Sequence, residues 1–187
     1  MTEVTHTLAG VQIEEWRPDL PGALVDHDVE MLAEILHAVV HLGAGVSFVV
    51  PFSLDEARAF WNDTVLPGAR ARTRRVVVAR LDARIVGTAQ IDMAVPPNQR
   101  HRAEVVKLLV HPTARRHGIA RALMLALESI ALAENRTLLT LDTWTGSHAE
   151  RLYESLGYTT VGVIPRYARG STTTALEPAT IMYKELR

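Results

Sequence analysis

The stretch from Glu104 to Met124 restricts the fold more than any other part of the chain. It runs apolar through Val105-Val106-Lys107-Leu108-Leu109-Val110, is checked at Pro112 and turns basic at Arg115-Arg116-His117. After Gly118 it becomes apolar at helical spacing through Ile119, Leu123, Leu127, Ile130 and Ala131. The order predicts a strand, a turn, a basic loop and an amphipathic helix. The first N–H groups of such a helix have no intrahelical partner, and the macrodipole places about half a positive charge there. Gly118 removes a Cβ from the approach, Ala120 keeps the next position small, and Arg115, Arg116 and Arg121 add charge to the rim. A diphosphate fits such a junction.

A second unit follows. Leu139-Thr140-Leu141-Asp142-Thr143 predicts a strand, and Ala149, Leu152 and Leu156 form the apolar stripe of a helix that stops at Gly157. Ser147 precedes that helix with Glu150 three residues on, the pattern of a capping box. Asp142 stands at the C-terminal end of its strand, the region where α/β sheets collect ligands. Tyr153 lies on the helix as a core aromatic or as a phenol able to donate a proton.

Elsewhere, Val11 to Trp16 alternates like a strand, and Met31, Leu32, Ile35, Leu36, Val39 and Leu42 mark a helix ended by Gly43. Ser53 with Glu56 predicts a second capped helix. Val76 to Ala79 and Ile85 to Met93 form an expected hairpin, closed by Pro96-Pro97-Asn98, and Arg72, Arg74 and Arg75 are expected to face water at its entrance. Gly162 to Pro165 and Ala179 to Lys184 supply the last strands, joined by a loop from Arg166 to Glu177. His37 and His41 have the i, i+4 spacing of a metal pair but no glutamate between them, so no metal is expected.

At 187 residues, 48% hydrophobic and 22% charged, the chain suits a single soluble domain over residues 1–187. A net charge of −1 argues against nucleic-acid binding, and leaves the basic residues by Gly118 as a local anion site. The absence of cysteine excludes disulfides and thiolate metal sites and agrees with a cytoplasmic location. No run of about 18 apolar residues predicts a membrane span.

The Arg115-Arg116-His117-Gly118-Ile119-Ala120 loop resembles motif A of the GNAT N-acetyltransferase superfamily, whose Arg/Gln-x-x-Gly-x-Gly/Ala loop binds the diphosphate of coenzyme A. The Ala149-Glu150-Arg151-Leu152-Tyr153-Glu154-Ser155-Leu156-Gly157-Tyr158 run resembles its motif B, which packs a tyrosine beside the coenzyme's sulfur. The resemblance implies an α/β (α+β) domain: a mixed, mostly antiparallel twisted sheet flanked by helices and splayed after Val110. It implies acetyl-CoA as donor and a primary amine as acceptor. Leu108, Leu109, Val110, Arg115 to Arg121 and Tyr153 would then hold the donor, with a backbone N–H at Val110 or its neighbour for the oxyanion. Tyr153 would protonate the leaving thiolate, and Asp142 or Glu104 would free the amine of its proton. Where most members carry an asparagine this chain has Gly146, and Ser147 beside it offers a substitute hydroxyl.

Arg102-Ala103-Glu104-Val105-x-Lys107, Leu141-Asp142-Thr143 and Pro178-x-Thr180-Ile181-x-Tyr183-Lys184 are similar to the tabtoxin-resistance type, which acetylates the amino group of a small toxin. That similarity implies an amino-acid-like small molecule as acceptor, a cleft bordered by Gly43 to Phe48, and a homodimer. It places Glu104, Lys107 and Asp142 against the substrate. Glu104 and Lys107 have odd spacing, so they share one face of the strand only if a β-bulge lies between them. Peptide acetylation and a non-catalytic acyl-CoA sensor are the other readings of the same residues.

Overall fold

Apolar residues at Val25, Val29, Leu32, Leu36 and Val39 keep helical spacing. The computed structural model, which describes residues 6–8, 10–19 and 21–187, places them on one helix, α1 (Gly22–His41). The helix begins at Gly22 rather than Met31, because Val25 and Val29 extend the buried stripe toward the N-terminus. It ends as expected: Gly43 takes a φ of +87°, a region closed to most side chains. Ser53 caps α2 (Leu54–Ala59) reciprocally, accepting from the Glu56 N–H at 3.1 Å while Glu56 Oε2 accepts from the Ser53 N–H at 2.7 Å. The chain continues through a π-helical turn (Phe60–Val65) into α3 (Leu66–Arg70).

The remaining elements follow the predicted order. A short strand β1 (His6–Leu8), not indicated by the sequence, precedes β2 (Val11–Glu15). The hairpin is β3 (Arg74–Leu81) and β4 (Arg84–Asp92), joined by Asp82-Ala83, whose φ values of +48° and +66° twist the turn to match the strands. Then come β5 (Arg102–Val110), α4 (Ile119–Ala133), β6 (Leu138–Trp144), α5 (His148–Ser155), β7 (Thr159–Arg169) and β8 (Leu176–Glu185). The last two strands are longer than expected. Arg166 to Arg169 and Leu176 to Glu177 are strand rather than loop, and Pro165 is accommodated because β7 is the sheet edge and its pairing is irregular between Ile164 and Ala168.

The strands form one sheet in the order β1-β2-β3-β4-β5-β6-β8-β7, antiparallel throughout except between β5 and β6. Helices cover both faces, which is why Val76, Val77, Val78 and Ala79 are buried in succession. On one face α4 and α5 pack over Ile13, Val77, Ile91, Val105, Leu139 and Leu141. On the other, α1 and the α2 region pack over Val76, Val78 and Leu109, with Trp16 meeting Trp61 edge to face at 6.3 Å.

Arg74 and Arg75 correct an expectation. Rather than facing water, Arg74 is paired with Asp92 at 2.5 Å and Arg75 with Glu15 at 2.7 Å and with Glu134. The covering helices leave these guanidinium groups too buried to stand unpaired.

The parallel pairing also differs from expectation. β5 and β6 are in register only at Arg102 with Leu138, Ala103 with Leu139 and Glu104 with Thr140, and then part. The splay therefore opens after Glu104, not after Val110. Its closed end is tied by Arg102, which donates to Thr140 Oγ1 at 2.9 Å, and by Thr137 and Leu138 N–H groups donating to the His101 carbonyl. Its open end is set by a bulge at Lys107.

Candidate active site

Lys107 sits at the register shift between β4 and β5, where Gln90 pairs with Val106 and Thr88 with Leu109, so that Lys107 and Leu108 together oppose Ala89. Its φ is +53°, a left-handed conformation costing on the order of 1–3 kcal/mol in a non-glycine residue. This is the bulge that the spacing of Glu104 and Lys107 required if both were to reach one cleft. Lys107 Nζ donates to Ser47 Oγ at 3.1 Å and stands 5.7 Å from the Phe48 ring centroid and 5.6 Å from that of Phe60. Burial pushes the ammonium below its ordinary pKa, Arg74 pushes the same way, and Asp142 and Glu104 oppose them. Both carboxylates are thus within electrostatic reach of Lys107.

Asp142 is exposed near the end of β6, two residues beyond Thr140, the register partner of Glu104, so the two acids share a face. Tyr153 comes from α5 and belongs to the core cluster of the other face. Its side chain is 6% exposed, and its ring lies 5.6 Å from that of Tyr158. Burial first, and the charge of Asp142 second, raise its phenol pKa above the ordinary value of 10. The gap between β5 and β6 therefore brings groups from both faces into mutual range, and Tyr153 keeps its proton at neutral pH.

The anion cradle lies at the same opening. Gly118 caps α4 with a φ of +76°, Arg116 before it has +66°, and no side chain caps the helix. The first N–H groups of α4 stay available to a ligand. Gly87 allows α4 to settle this close: a Cβ there would lie 3.2 Å from Ile119 Cγ2, Leu123 Cδ1 and the Leu109 carbonyl. The His111 N–H donates to the Val86 carbonyl at 2.8 Å, so by alternation the Val110 N–H points away from β4 toward the splay. On that side the Val110 carbonyl accepts from Arg115 Nε at 3.3 Å. Arg116 and His117 are exposed, while Arg121 reaches Ser155 Oγ at 2.5 Å and ties α4 to α5.

Ser147 caps α5. Its Oγ accepts from the Glu150 N–H at 3.1 Å and lies 3.3 Å from Thr143 Oγ1, while the Glu150 carboxylate returns to the Gly146 N–H. His37 and His41 stack at 4.2 Å, and His41 Nδ1 lies 2.9 Å from the His37 carbonyl. Among the described residues no group of three or more potential metal ligands is assembled.

Two aromatics at the opening escaped the sequence reading. Tyr167 follows a left-handed Arg166 on β7, and its pKa is raised by the charge of Asp142 first, then by burial and the charge of Glu104, so both acids act on it electrostatically. Phe60 reads locally as the apolar face of a helix, and nothing in its spacing signals that it walls the Lys107 pocket.

The acetyltransferase (GNAT) family model matches residues 43–158, more than half of the chain and all of the splayed region. The chain belongs to the GNAT acetyltransferase family. It is 32% identical over 117 residues, covering 62% of this chain and 67% of the relative, to an "Uncharacterized N-acetyltransferase in hisH-hisA intergenic region" of Azospirillum brasilense. An N-acetyltransferase of Staphylococcus aureus Mu50 shares the fold at a TM-score of 0.77 and 18% identity, over 96% of this chain and 100% of that one. So does yncA of Salmonella typhimurium, solved with its cofactor acetyl-CoA, at a TM-score of 0.73 and 20% identity over 95% of each chain.

Proposed function

We propose that this GNAT protein transfers the acetyl group of acetyl-CoA to the primary amine of a small, amino-acid-like molecule by direct attack. One observation carries the reading: a single splay between β5 and β6 opens onto an uncapped helix start, a proton-bearing Tyr153 and two carboxylates. When bound, acetyl-CoA supplies a thioester, an acyl group already activated for attack.

The cradle residues Arg115 to Arg121 and the N–H groups that open α4 would hold the diphosphate, and the exposed edge at Leu108 to Val110 would align the pantetheine arm. The Val110 N–H is fixed toward the splay by its pairing partners, so it serves as a preorganised donor where negative charge develops on the carbonyl oxygen. An amine with a pKa of about 10 arrives protonated at neutral pH. Asp142, exposed and close to Tyr153, takes the ammonium proton directly or through water, and Glu104 on the same face is the second base. As the C–S bond breaks Tyr153 would protonate the departing sulfur, and the second amine proton, released as the amide forms, would return through water to the phenol. The acidic pair beside a cationic lysine suits a small charged acceptor, as does the similarity to the tabtoxin-resistance type.

The test is release of free coenzyme A thiol from acetyl-CoA against amino acids, polyamines, aminoglycosides and peptides, with stabilisation by acetyl-CoA measured in parallel. Turnover with a small amine class is the expected result. Turnover confined to peptides would overturn the small-molecule acceptor, and stabilisation without any turnover would favour the sensor.

A further inference from the structure

Among the described residues, the other partly buried cations along this sheet have a carboxylate or several fixed acceptors. Arg74 is paired with Asp92, Arg75 with Glu15, Arg80 with Asp28 and Lys184 with Glu128, and Arg102 is held by Gln99 and Thr140. Lys107 differs. Among the described residues its ammonium has no carboxylate within ion-pair distance and one hydrogen bond, to Ser47, itself at a left-handed φ of +75°. Two Phe rings take the place of a counter-ion. A half-buried charge in that state is costly, and the bulge that aims it into the cleft adds backbone strain. A fold has no need of either.

We propose that Lys107 is the anion anchor of the acceptor site, and that the acceptor carries a carboxylate or an equivalent acidic oxyanion close to the amine that is acetylated. The inference rests on the acetyltransferase reading above and narrows its acceptor. An acceptor bearing one positive and one negative group matches the charges around the cleft: its ammonium faces Asp142 and Glu104, and its anion completes the shell of Lys107 in place of water. The Phe48 and Phe60 rings stand with their centroids 5.7 and 5.6 Å from the ammonium and replace solvent on those sides, which strengthens a charge-assisted hydrogen bond to the incoming oxygen. Polyamines and aminoglycosides offer Lys107 no anion and bring further positive charge to it. Peptide N-termini place the nearest α-carboxylate at least one residue away.

The experiment compares matched acceptors of several side-chain types: an α-amino acid, its amide, its decarboxylated amine and its α-aminophosphonate. kcat/KM from thiol release is one readout. Stabilisation by each acceptor in the presence of coenzyme A is a second, independent of turnover. Acids should exceed their amides and decarboxylated amines by roughly 30-fold, as for a hydrogen-bonded charge. Lys107→Met should bring that ratio close to one while acetyl-CoA still stabilises the protein, and Lys107→Arg should retain part of it. The phosphonate arm distinguishes a carboxylate site from a general oxyanion site. Equal use of acids and amides, or a ratio unchanged by Lys107→Met, overturns the anchor. Failure of every acid to bind or turn over, with acetyl-CoA stabilisation intact, overturns it as well but leaves the donor site standing. Loss of acetyl-CoA stabilisation in the wild-type protein would sink the underlying reading and the anchor with it.

Discussion

The two halves of the sheet treat buried charge in opposite ways. Between β2 and β4 the guanidinium groups are neutralised: Arg80 bridges Glu14 and Asp28, and Asp28 also accepts from Trp16 Nε1 at 3.0 Å. Between β5 and β6, Glu104 and Asp142 lie within electrostatic reach of Lys107, and among the described residues none of the three is joined in an ion pair. The first arrangement holds helices to a sheet and is closed to ligands. The second forgoes that stabilisation and leaves unpaired groups for molecules that arrive later. Pairing thus separates charges that serve the fold from charges that serve chemistry more clearly than burial does.

The largest effect should come from the open half. Tyr153→Phe should lower kcat about 10²- to 10⁴-fold, the range of a positioned acid, with acetyl-CoA affinity nearly unchanged by calorimetry. The wild-type rate should rise with pH as the acceptor ammonium gives up its proton near pH 10. At saturating acceptor it should show no alkaline decline up to that point, since Tyr153 is held above its ordinary value and remains a donor, whereas kcat/KM for an acidic acceptor should fall earlier, as Lys107, held below its ordinary value, loses its charge. An alkaline limb in kcat below about pH 9 that persists in Lys107→Met would assign the acid elsewhere.

In the closed half, Asp28→Ala leaves the Arg80 guanidinium and the Trp16 N–H short of a partner in a site where Asp28 is only 4% exposed. Denaturant unfolding should show a loss of about 3–5 kcal/mol. An equal loss from Asp142→Ala would erase the contrast between the halves.

Gly87→Ala joins the two regions. Its new methyl would meet the Leu109 carbonyl, which cannot yield as a side chain can, so about 1–3 kcal/mol of stability should be lost and α4 displaced. Weaker acetyl-CoA binding should accompany the lower Tm.

Ser147→Ala should have the smallest effect, about 1 kcal/mol from the lost cap of α5, with the acetyl-CoA KM unchanged. A raised KM at constant stability would instead make the Ser147 hydroxyl a contact to the coenzyme.

Local chemistry made much of this legible in advance. Gly43, Gly118 and Gly157 stop or start helices through positive φ, and Ser53 and Ser147 cap them, because those residue types satisfy backbone geometry within a few positions of themselves. The apolar stripe of α4 and the strand before it were equally plain, since helices and strands bury one face at a fixed period. Long-range pairing was not legible. Arg74 and Arg75 read as surface charges because Asp92, Glu15 and Glu134 are distant in sequence, and the splay was misplaced because register depends on where β6 stops following β5. Tyr167 and Phe60 came to the cleft through an edge-strand irregularity and a π-helical turn, neither of which leaves a periodic trace.

The sequence by itself determined the glycine-started helix α4 and the capped helix α5, because glycine and serine act on backbone groups within a few positions of themselves, and it offered Tyr153, Asp142 and Glu104 as candidates only. Only the tertiary structure decided that Lys107 shares a cleft with Glu104 and Asp142. That depends on a bulge opposite Ala89 and on rings supplied by Phe48 and Phe60, and no local pattern encodes what distant strands and loops present to one side chain.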